Sequence, residues 1–136
     1  MIRYLLDTTL LAAYLAHRQF AVTLISPWIS NQEAATSIIV YGEMVEHLKG
    51  KPNFPRHHSA LRDLIEVVQP YMLTFSILDR YADIRRALRP PYGLGLIGDI
   101  DTLIAGTALE FGLTLVTTDQ DFQRVPDLKV LLAPRG

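Results

Sequence analysis

Short apolar runs and amphipathic stretches alternate along this chain, and the two patterns predict different elements. The apolar runs have the length of strands and predict strands at 2–6, 36–40, 71–75, 113–117 and 128–132. Apolar positions at helical spacing predict helices at 8–17, 41–48, 59–69, 77–89 and 100–111. Because strands alternate with helices, the pattern favours an α/β fold with a mainly parallel sheet covered on both faces.

The segments between these elements carry turn and loop signals. Pro27 predicts the start of a short helix within the stretch 20–31, whose pattern is otherwise ambiguous. The stretch 51–58 is polar and predicts a loop, and 92–98 is rich in glycine and predicts another. Residues 119–123 predict a single helical turn.

Length and composition indicate one folded unit over residues 1–136. Hydrophobic residues make up 49% of the chain and charged residues 20%, which is enough apolar material for a core. The absence of cysteine excludes disulfides, thiolate catalysis and cysteine-based metal sites. No apolar run approaches the roughly 20 residues that a membrane helix needs, so we expect a cytoplasmic protein with no membrane contact.

Four acidic residues are candidates for a common site, namely Asp7, Glu43, Asp101 and Asp119. Three of them lie at or just beyond the end of a predicted strand or at the start of a predicted helix. In a parallel α/β sheet such positions meet at the carboxyl edge, where binding sites form. Carboxylates gathered there repel one another, and a cation with oxygen ligands such as Mg²⁺ or Mn²⁺ is the usual reason to keep them together.

Each acidic position also has a purely structural interpretation. Asp7 stands where a helix N-cap is expected, although Thr8 or Thr9 would cap equally well. Glu43 lies near Glu46 on a predicted helix, and either residue would suit a solvated face. Because Glu43 is nearer the end of the preceding predicted strand, it is the better candidate for the site.

The pairs Asp99 with Asp101, and Asp119 with Asp121, leave alternatives open. Asp99 is suited to cap the helix predicted at 100–111, and Asp101 would then lie in its first turn, near the positive end of the helix dipole. Both residues are capping charges in one interpretation, whereas Asp101 is a metal ligand in the other. Asp119 and Asp121 present the same choice in the turn after the strand predicted at 113–117.

Basic residues are candidates for phosphate-binding rims around such a site. An ordinary solvated surface explains them about as well. Because the chain has 13 basic and 14 acidic residues and a net charge of −1, contact with nucleic acid would need a local patch. The candidate rim residues are Lys49, Lys51, Arg56, Arg85, Arg86 and Arg89.

These residues resemble the motifs of PIN-domain ribonucleases, and most of all those of VapC-type toxins from prokaryotic toxin–antitoxin pairs. The resemblance covers essentially the whole chain. It is carried by Asp7-Thr8-Thr9, by Glu43, by residues 97–106 (Ile-Gly-Asp-Ile-Asp-Thr-Leu-Ile-Ala-Gly) and by residues 115–122 (Leu-Val-Thr-Thr-Asp-Gln-Asp-Phe). The last two motifs are the most specific, because they occur in order and at the expected spacing.

The resemblance implies a three-layer α/β/α sandwich with an acidic pocket that holds Mg²⁺ or Mn²⁺. By position, Asp7 and Asp101 match the principal metal-binding aspartates of the family, and Glu43 matches its second acidic residue. Asp119 matches the fourth, with Asp121 as the nearby alternative. The supporting polar residues that orient these carboxylates match Thr9 and Thr117.

The implied function is metal-dependent endoribonuclease activity in a toxin that is controlled by an antitoxin protein and forms a homodimer. A bound divalent ion would activate water and neutralise charge at the phosphate, as hydrolysis of RNA requires. One alternative is a metal-dependent phosphatase of small phosphoesters, which would act equally on RNA and on a generic phosphoester. The other is a non-catalytic binding module that keeps the fold and binds no metal.

Overall fold

A five-stranded parallel sheet organises the computed structural model, which describes residues 1–134. The strands are β1 (Tyr4–Leu6), β2 (Ala34–Ser37), β3 (Gln69–Tyr71), β4 (Thr114–Thr117) and β5 (Val130–Leu132). They are ordered β3-β2-β1-β4-β5 across the sheet, and every adjacent pair is parallel. This order places the first strand of the chain at the centre.

Six α-helices and one short 3₁₀ helix connect or follow the strands. The α-helices are α1 (Thr8–Leu15), α2 (Gln19–Ser30), α3 (Ile38–Lys49), α4 (Phe54–Val67), α5 (Phe75–Leu88) and α6 (Asp99–Phe111). The 3₁₀ helix spans Gln120–Arg124. No helix among residues 1–134 is long and apolar enough to cross a membrane.

The two central strands are buried on both faces of the sheet. Leu5 and Leu6 point to opposite faces, as do Leu115 and Val116, and all four side chains have no exposed surface. A strand with both faces buried must be covered by other elements on either side, as in a three-layer α/β/α sandwich. The predicted fold class is therefore confirmed.

The strand register brings the site positions to one edge of the sheet. Leu6 is paired with Thr36 of β2 on one side and with Val116 of β4 on the other. Asp7 and Thr117, the residues that follow Leu6 and Val116, consequently lie side by side at the carboxyl edge. This is the edge at which open α/β sheets form their sites.

Two predicted boundaries around β2 and α3 are wrong. The strand predicted at 36–40 lies at Ala34–Ser37, and the apolar run Ile38-Ile39-Val40 is the first turn of α3. The Ser37 hydroxyl accepts a hydrogen bond from the backbone N–H of Ile39 at 3.3 Å and so caps the helix. A short β-branched run suits a strand or a buried helix equally well, and this cap together with packing decides for the helix.

Three further segments differ from their predictions. The ambiguous stretch 20–31 is helical up to Ser30 and belongs to α2, which contains Pro27 rather than starting at it. Pro27 is exposed and near the end of the helix, where water can bind the carbonyl that its missing N–H leaves free. The predicted loop at 51–58 already contains the start of α4, and the third strand lies at 69–71 instead of 71–75.

Helices α5 and α6 approach each other closely at Gly106. A Cβ atom at this position would lie 3.2 Å from the carbonyl oxygen of Ile77 and 3.4 Å from the backbone nitrogen of Tyr81. Both neighbours are backbone atoms of a helix and cannot move independently. The missing side chain therefore lets α6, which carries Asp101, pack directly on the backbone of α5.

We expect Gly106→Val to destabilise the protein by about 1–3 kcal/mol, because the added methyl groups force the two helix backbones apart. The matched control is Gly42→Val in α3, where a Cβ atom would have nothing within 4 Å. Urea unfolding of both variants measures the difference. Equal stability of the two valine variants would contradict the close-approach argument.

Candidate active site

Asp7 is the buried anchor of the site. It follows β1, caps α1 and is only 3% exposed. Its Oδ1 atom accepts a hydrogen bond from the backbone N–H of Leu10 at 3.0 Å. Its Oδ2 atom accepts from the hydroxyls of Thr9 at 3.2 Å and Thr117 at 2.5 Å. Asp7 thus caps the helix and also presents a fixed carboxylate, so the two interpretations of this residue are compatible.

Glu43 reaches the same edge from α3. It is half-buried, and its Oε1 atom accepts a hydrogen bond from the Thr8 hydroxyl of α1. This bond joins the two helices directly beside Asp7. Glu46, one turn further along α3, is exposed, as expected for a solvated face.

Asp101 lies in the first turn of α6, where it is half-buried and accepts no hydrogen bond from residues 1–134. The expectation that Asp99 caps this helix is wrong. Gly98 is the N-cap, and Asp99 instead accepts hydrogen bonds from Tyr81 at 2.9 Å and from Arg85 at 2.7 Å. Asp99 therefore ties α6 to α5, while the neighbouring Asp101 remains free to bind a ligand.

Asp119 and Asp121 have different surroundings in the turn after β4. Asp119 is half-buried, and its carboxylate caps the 3₁₀ helix by accepting from the backbone N–H of Asp121 at 2.9 Å. Asp121 is exposed and pairs with Arg124 at 3.1 Å. The charge of Asp119 raises the pKa of Asp101 more than the charge of Asp121 does. This difference favours Asp119 over Asp121 as the fourth acidic residue.

The four carboxylates interact electrostatically. The pKa of Asp101 is raised to about 6, with burial as the largest cause and the nearby charges of Glu43, Asp119, Asp7 and Asp121 acting in the same direction. Burial also raises the pKa of Asp7, against the opposing effect of its hydrogen bonds to Thr117, Leu10 and Thr9. A folded protein that holds carboxylates together in this way gains stability from any cation that binds among them.

Two hollows flank this cluster. A groove of about 450 Å³ lies beside α1 and α3, and an open hollow lies beside the turn at Asp119 and Asp121. Thr118 lines both hollows. The Thr118 hydroxyl is the only buried side-chain polar atom among residues 1–134 that lacks a hydrogen-bond partner. An unpartnered donor at this position is available to a bound ligand or water.

The sequence matches the PIN domain family over residues 4–128. The chain belongs to the PIN-domain family. No curated protein matches the sequence. The fold is similar to those of three solved toxin–antitoxin structures, which are described next.

VapBC2 from Rickettsia felis, solved with a DNA fragment from its promoter, is 23% identical with a TM-score of 0.86, over 98% of this chain and 100% of that chain. The DNA-bound VapBC of Salmonella typhimurium is 21% identical with a TM-score of 0.83, over 96% of this chain and 98% of that chain. VapBC-1 of nontypeable Haemophilus influenzae is 25% identical with a TM-score of 0.79, over 97% of this chain and 98% of that chain. The resemblance to VapC-type PIN domains is therefore confirmed for family and fold.

The donor chemistry of this PIN domain fits Mg²⁺ or Mn²⁺, which bind oxygen ligands. The cluster offers carboxylate and hydroxyl oxygens and contains no nitrogen or sulfur donor. Among residues 1–134, however, no three acidic or histidine side chains form a group close enough to coordinate one ion. The carboxylates are near enough to repel one another, and they would have to draw together around a cation.

Two contacts and one unpartnered hydroxyl of this PIN domain were not predicted. Thr8 holds Glu43, Thr118 offers its free hydroxyl, and Arg85 binds Asp99. The first two residues adjoin predicted site aspartates in the sequence, so their position was a usable signal. The partner of Arg85 depends on how α5 packs on α6, which one sequence does not reveal. His47 of α3, which was not among the predicted site residues, lines the groove.

We expect the metal-free protein to lose stability as the pH rises from about 4 to about 6. The folded-state pKa of Asp101 lies above its unfolded value of 3.8, at about 6, so folding favours the protonated form. Its stabilisation is complete below pH 3.8 and is lost through pH 6, amounting to about 1–2 kcal/mol after allowance for solvent screening. Asp7 contributes in the same direction.

Thermal unfolding in EDTA across this pH range tests the expectation, with Asp101→Asn as the diagnostic variant. The asparagine does not titrate, so the fall in melting temperature should be shallower than in the wild type. Asp83→Asn, which removes an exposed charge from α5, is the matched control and should retain the wild-type slope. A wild-type slope in Asp101→Asn would show that Asp101 is not the carboxyl whose raised pKa makes stability depend on pH.

Proposed function

We propose that this PIN domain is a metal-dependent endoribonuclease and the toxin of a toxin–antitoxin pair. The observation that carries the proposal is the convergence of acidic side chains at the carboxyl edge of the sheet, where burial and the charges of its neighbours raise the pKa of Asp101 to about 6. Carboxylates kept together at the cost of stability indicate a site with a function. Membership of the PIN family and the VapBC-like fold support the choice of function.

In the proposed site, Asp7 and Asp101 hold Mg²⁺ or Mn²⁺, while Glu43 and Asp119 complete the acidic group. Asp101 suits this role because its carboxylate accepts no hydrogen bond from residues 1–134. Asp119 is preferred to Asp121, whose carboxylate is paired with Arg124. A second ion held through Glu43 or Asp119 is compatible with the same residues.

The residues of the chain itself would orient the site. The hydroxyls of Thr9 and Thr117 fix the Oδ2 atom of Asp7, and the hydroxyl of Thr8 fixes one oxygen of Glu43. The Thr118 hydroxyl is available to a phosphate oxygen or to water. When bound, the ion supplies charge neutralisation at the phosphate and a lowered pKa of its water. Hydrolysis of an RNA phosphodiester is the reaction that these parts suit.

The apolar groove beside the site suits a protein partner. Its lining is mostly apolar, and it includes Thr9, which donates to Asp7, and Thr118, which precedes Asp119. We propose that apolar residues of an antitoxin fill this groove and that an Arg or Lys from the same segment reaches Asp7, Glu43 and Asp101, since a guanidinium pairs bidentately with carboxylates. The apolar lining residues are Ala12, Ala13, Leu15, Ala16, Phe20, Met44 and Leu48.

Two further proposals rest on the likeness to VapC-type toxins, namely a homodimer and a cytoplasmic location. Exposed apolar side chains support the first. Phe75 is 90% exposed at the start of α5, and Leu94 is 84% exposed in the loop before α6. Side chains of this kind suit an interface between two copies of the chain.

We expect purified protein to cleave single-stranded RNA with Mg²⁺ or Mn²⁺ and to lose this activity in EDTA. Asp101→Asn should lower cleavage by about 100-fold or more, because even outer-shell partners of a metal contribute about 10–100-fold. The wild type should also gain about 2.7 kcal/mol of stability at a Mn²⁺ concentration near 100 Kd, and Asp101→Asn much less. Gel analysis of labelled RNA and thermal melts give the two measurements.

The control is Asp83→Asn, which loses the same charge on the exposed surface of α5 and should cleave RNA like the wild type. Full activity of wild-type protein in EDTA would rule out the metal mechanism. Equal turnover of RNA and of a generic phosphoester such as p-nitrophenyl phosphate would favour a phosphatase. Absence of both cleavage and a Mn²⁺-dependent shift would favour a non-catalytic module.

We also expect the wild-type protein to capture a small protein from its native host, and Ala13→Trp to capture far less of it. The indole would fill the groove that Ala13 lines. The captured protein should carry an Arg or Lys whose replacement by Ala restores RNA cleavage in the complex. A normal Mn²⁺ shift of Ala13→Trp would verify that its acidic cluster is intact. Recovery of no small partner would count against the toxin role.

A further inference from the structure

Residues 47–62 form a strongly basic segment in a chain whose net charge is −1. The segment contains four lysines or arginines and three histidines but no acidic residue. It covers the end of α3, the turn after it and the first half of α4. Its basic residues are His47, Lys49, Lys51, Arg56, His57, His58 and Arg62.

The cations of this segment are not neutralised by acidic partners. Lys49, Lys51, Arg56 and Arg62 take part in none of the ion pairs formed by residues 1–134. The four arginines that do form ion pairs among these residues lie outside the segment, and they are Arg3, Arg80, Arg85 and Arg124. All four cations of the basic segment are also exposed. The segment therefore presents a local positive field that a net charge near zero conceals.

Aromatic rings are interleaved with these cations. The ammonium of Lys49 lies 5.1 Å from the ring centroid of Phe54, and the guanidinium of Arg62 lies 5.9 Å from that of Tyr41. Between them, the ring of His58 is 5.2 Å from Phe54, and its Nε2 atom is 3.0 Å from the Tyr41 hydroxyl. Cations packed on aromatic rings are a combination that suits nucleic acid.

The basic segment and the acidic cluster border the same groove. His47, Lys51 and His57 line one part of the groove, and Thr9 and Thr118 line the part next to the carboxylates. A chain that lies in the groove therefore passes from the basic segment to the acidic cluster. The unpartnered hydroxyl belongs to Thr118, which lines the groove and precedes Asp119 in the sequence.

We propose that the basic segment binds the phosphodiester backbone of single-stranded RNA and leads the strand along the groove to the acidic cluster. The proposal rests on the ribonuclease function proposed above. Its physical basis is that carboxylates repel phosphates, so a substrate of this charge needs unpaired cations beside the site. The aromatic rings favour RNA over an acidic peptide, because bases stack on them and carboxylate side chains do not.

The test compares two double variants that remove the same charge. Lys51→Gln/Arg56→Gln alters the basic segment, whereas Arg80→Gln/Lys129→Gln alters two exposed cations that lie outside the groove. Binding of a fluorescein-labelled RNA of about 12 nucleotides, a length within the range that single-strand-binding folds occupy, is measured by anisotropy in EDTA over a series of salt concentrations. Cleavage with Mn²⁺ gives KM and kcat for each protein.

We expect Lys51→Gln/Arg56→Gln to weaken RNA binding about tenfold or more and to reduce the slope of log K against log salt by about 1.4, the value for two lost phosphate contacts to a single strand. Its KM should rise while kcat stays near the wild-type value. The control should keep the wild-type slope. Where binding in EDTA is too weak to measure, the KM comparison decides.

Other outcomes separate this inference from the function on which it rests. Equal effects of the two double variants, with normal cleavage by the wild type, would overturn the RNA path and leave the ribonuclease intact. A wild-type protein that neither binds nor cleaves RNA would overturn both. If Lys51→Gln/Arg56→Gln loses affinity for polyglutamate but not for RNA, the segment serves an acidic protein partner and the proposal is wrong.

Discussion

The rest of this structure depends on one buried carboxylate at the end of the central strand. Asp7 is almost completely inaccessible, which would be costly for a charge without partners. Three donors from two elements offset that cost, since Leu10 and Thr9 belong to α1 and Thr117 ends β4. The same bonds that permit the burial thus join the first helix to the two central strands. Asp7 therefore links α1 to the central strands, and its charge also raises the pKa of Asp101.

The packing of the fold also holds the remaining carboxylates near Asp7. Glu43 is held toward Asp7 through Thr8, and Asp119 through the turn that follows Thr117. Asp101 arrives on α6, whose position is set by its close packing on α5 at Gly106 and by the bonds of Asp99 to Tyr81 and Arg85. The repulsion is thus built into the packing of the fold, so a bound cation can relieve it without a change of architecture.

The convergence of the acidic residues was predictable from sequence because it follows from topology. Short apolar runs that alternate with helices give a parallel sheet, and residues just after the strands must then meet at one edge. The limits of β2 and the start of α3 were not predictable in the same way. Ile38-Ile39-Val40 is an apolar β-branched run that suits either element, and the cap at Ser37 acts only once the chain has folded.

Pair contacts between distant elements were the least predictable features. Asp99 has the right residue type and position for a helix cap, yet it binds Tyr81 and Arg85 because α5 lies against the first turn of α6. Arg85 was a candidate for a phosphate-binding rim, and the same contact gives it an acidic partner. Lys51, a candidate with equal weight in the sequence, has no such partner among residues 1–134 and lines the groove.

The separation of paired from unpaired cations explains how a nearly neutral chain can have two surfaces of opposite sign. The carboxylates of the site lie at the carboxyl edge of the sheet, and none of them forms an ion pair with a lysine or arginine of residues 47–62. The arginines that do find partners use other acids, such as Glu33 and Glu110, which lie outside the site. Local fields act within about a Debye length, roughly 10 Å at moderate salt, so neighbouring patches are felt separately by a ligand. A net charge of −1 therefore describes the whole chain but neither surface.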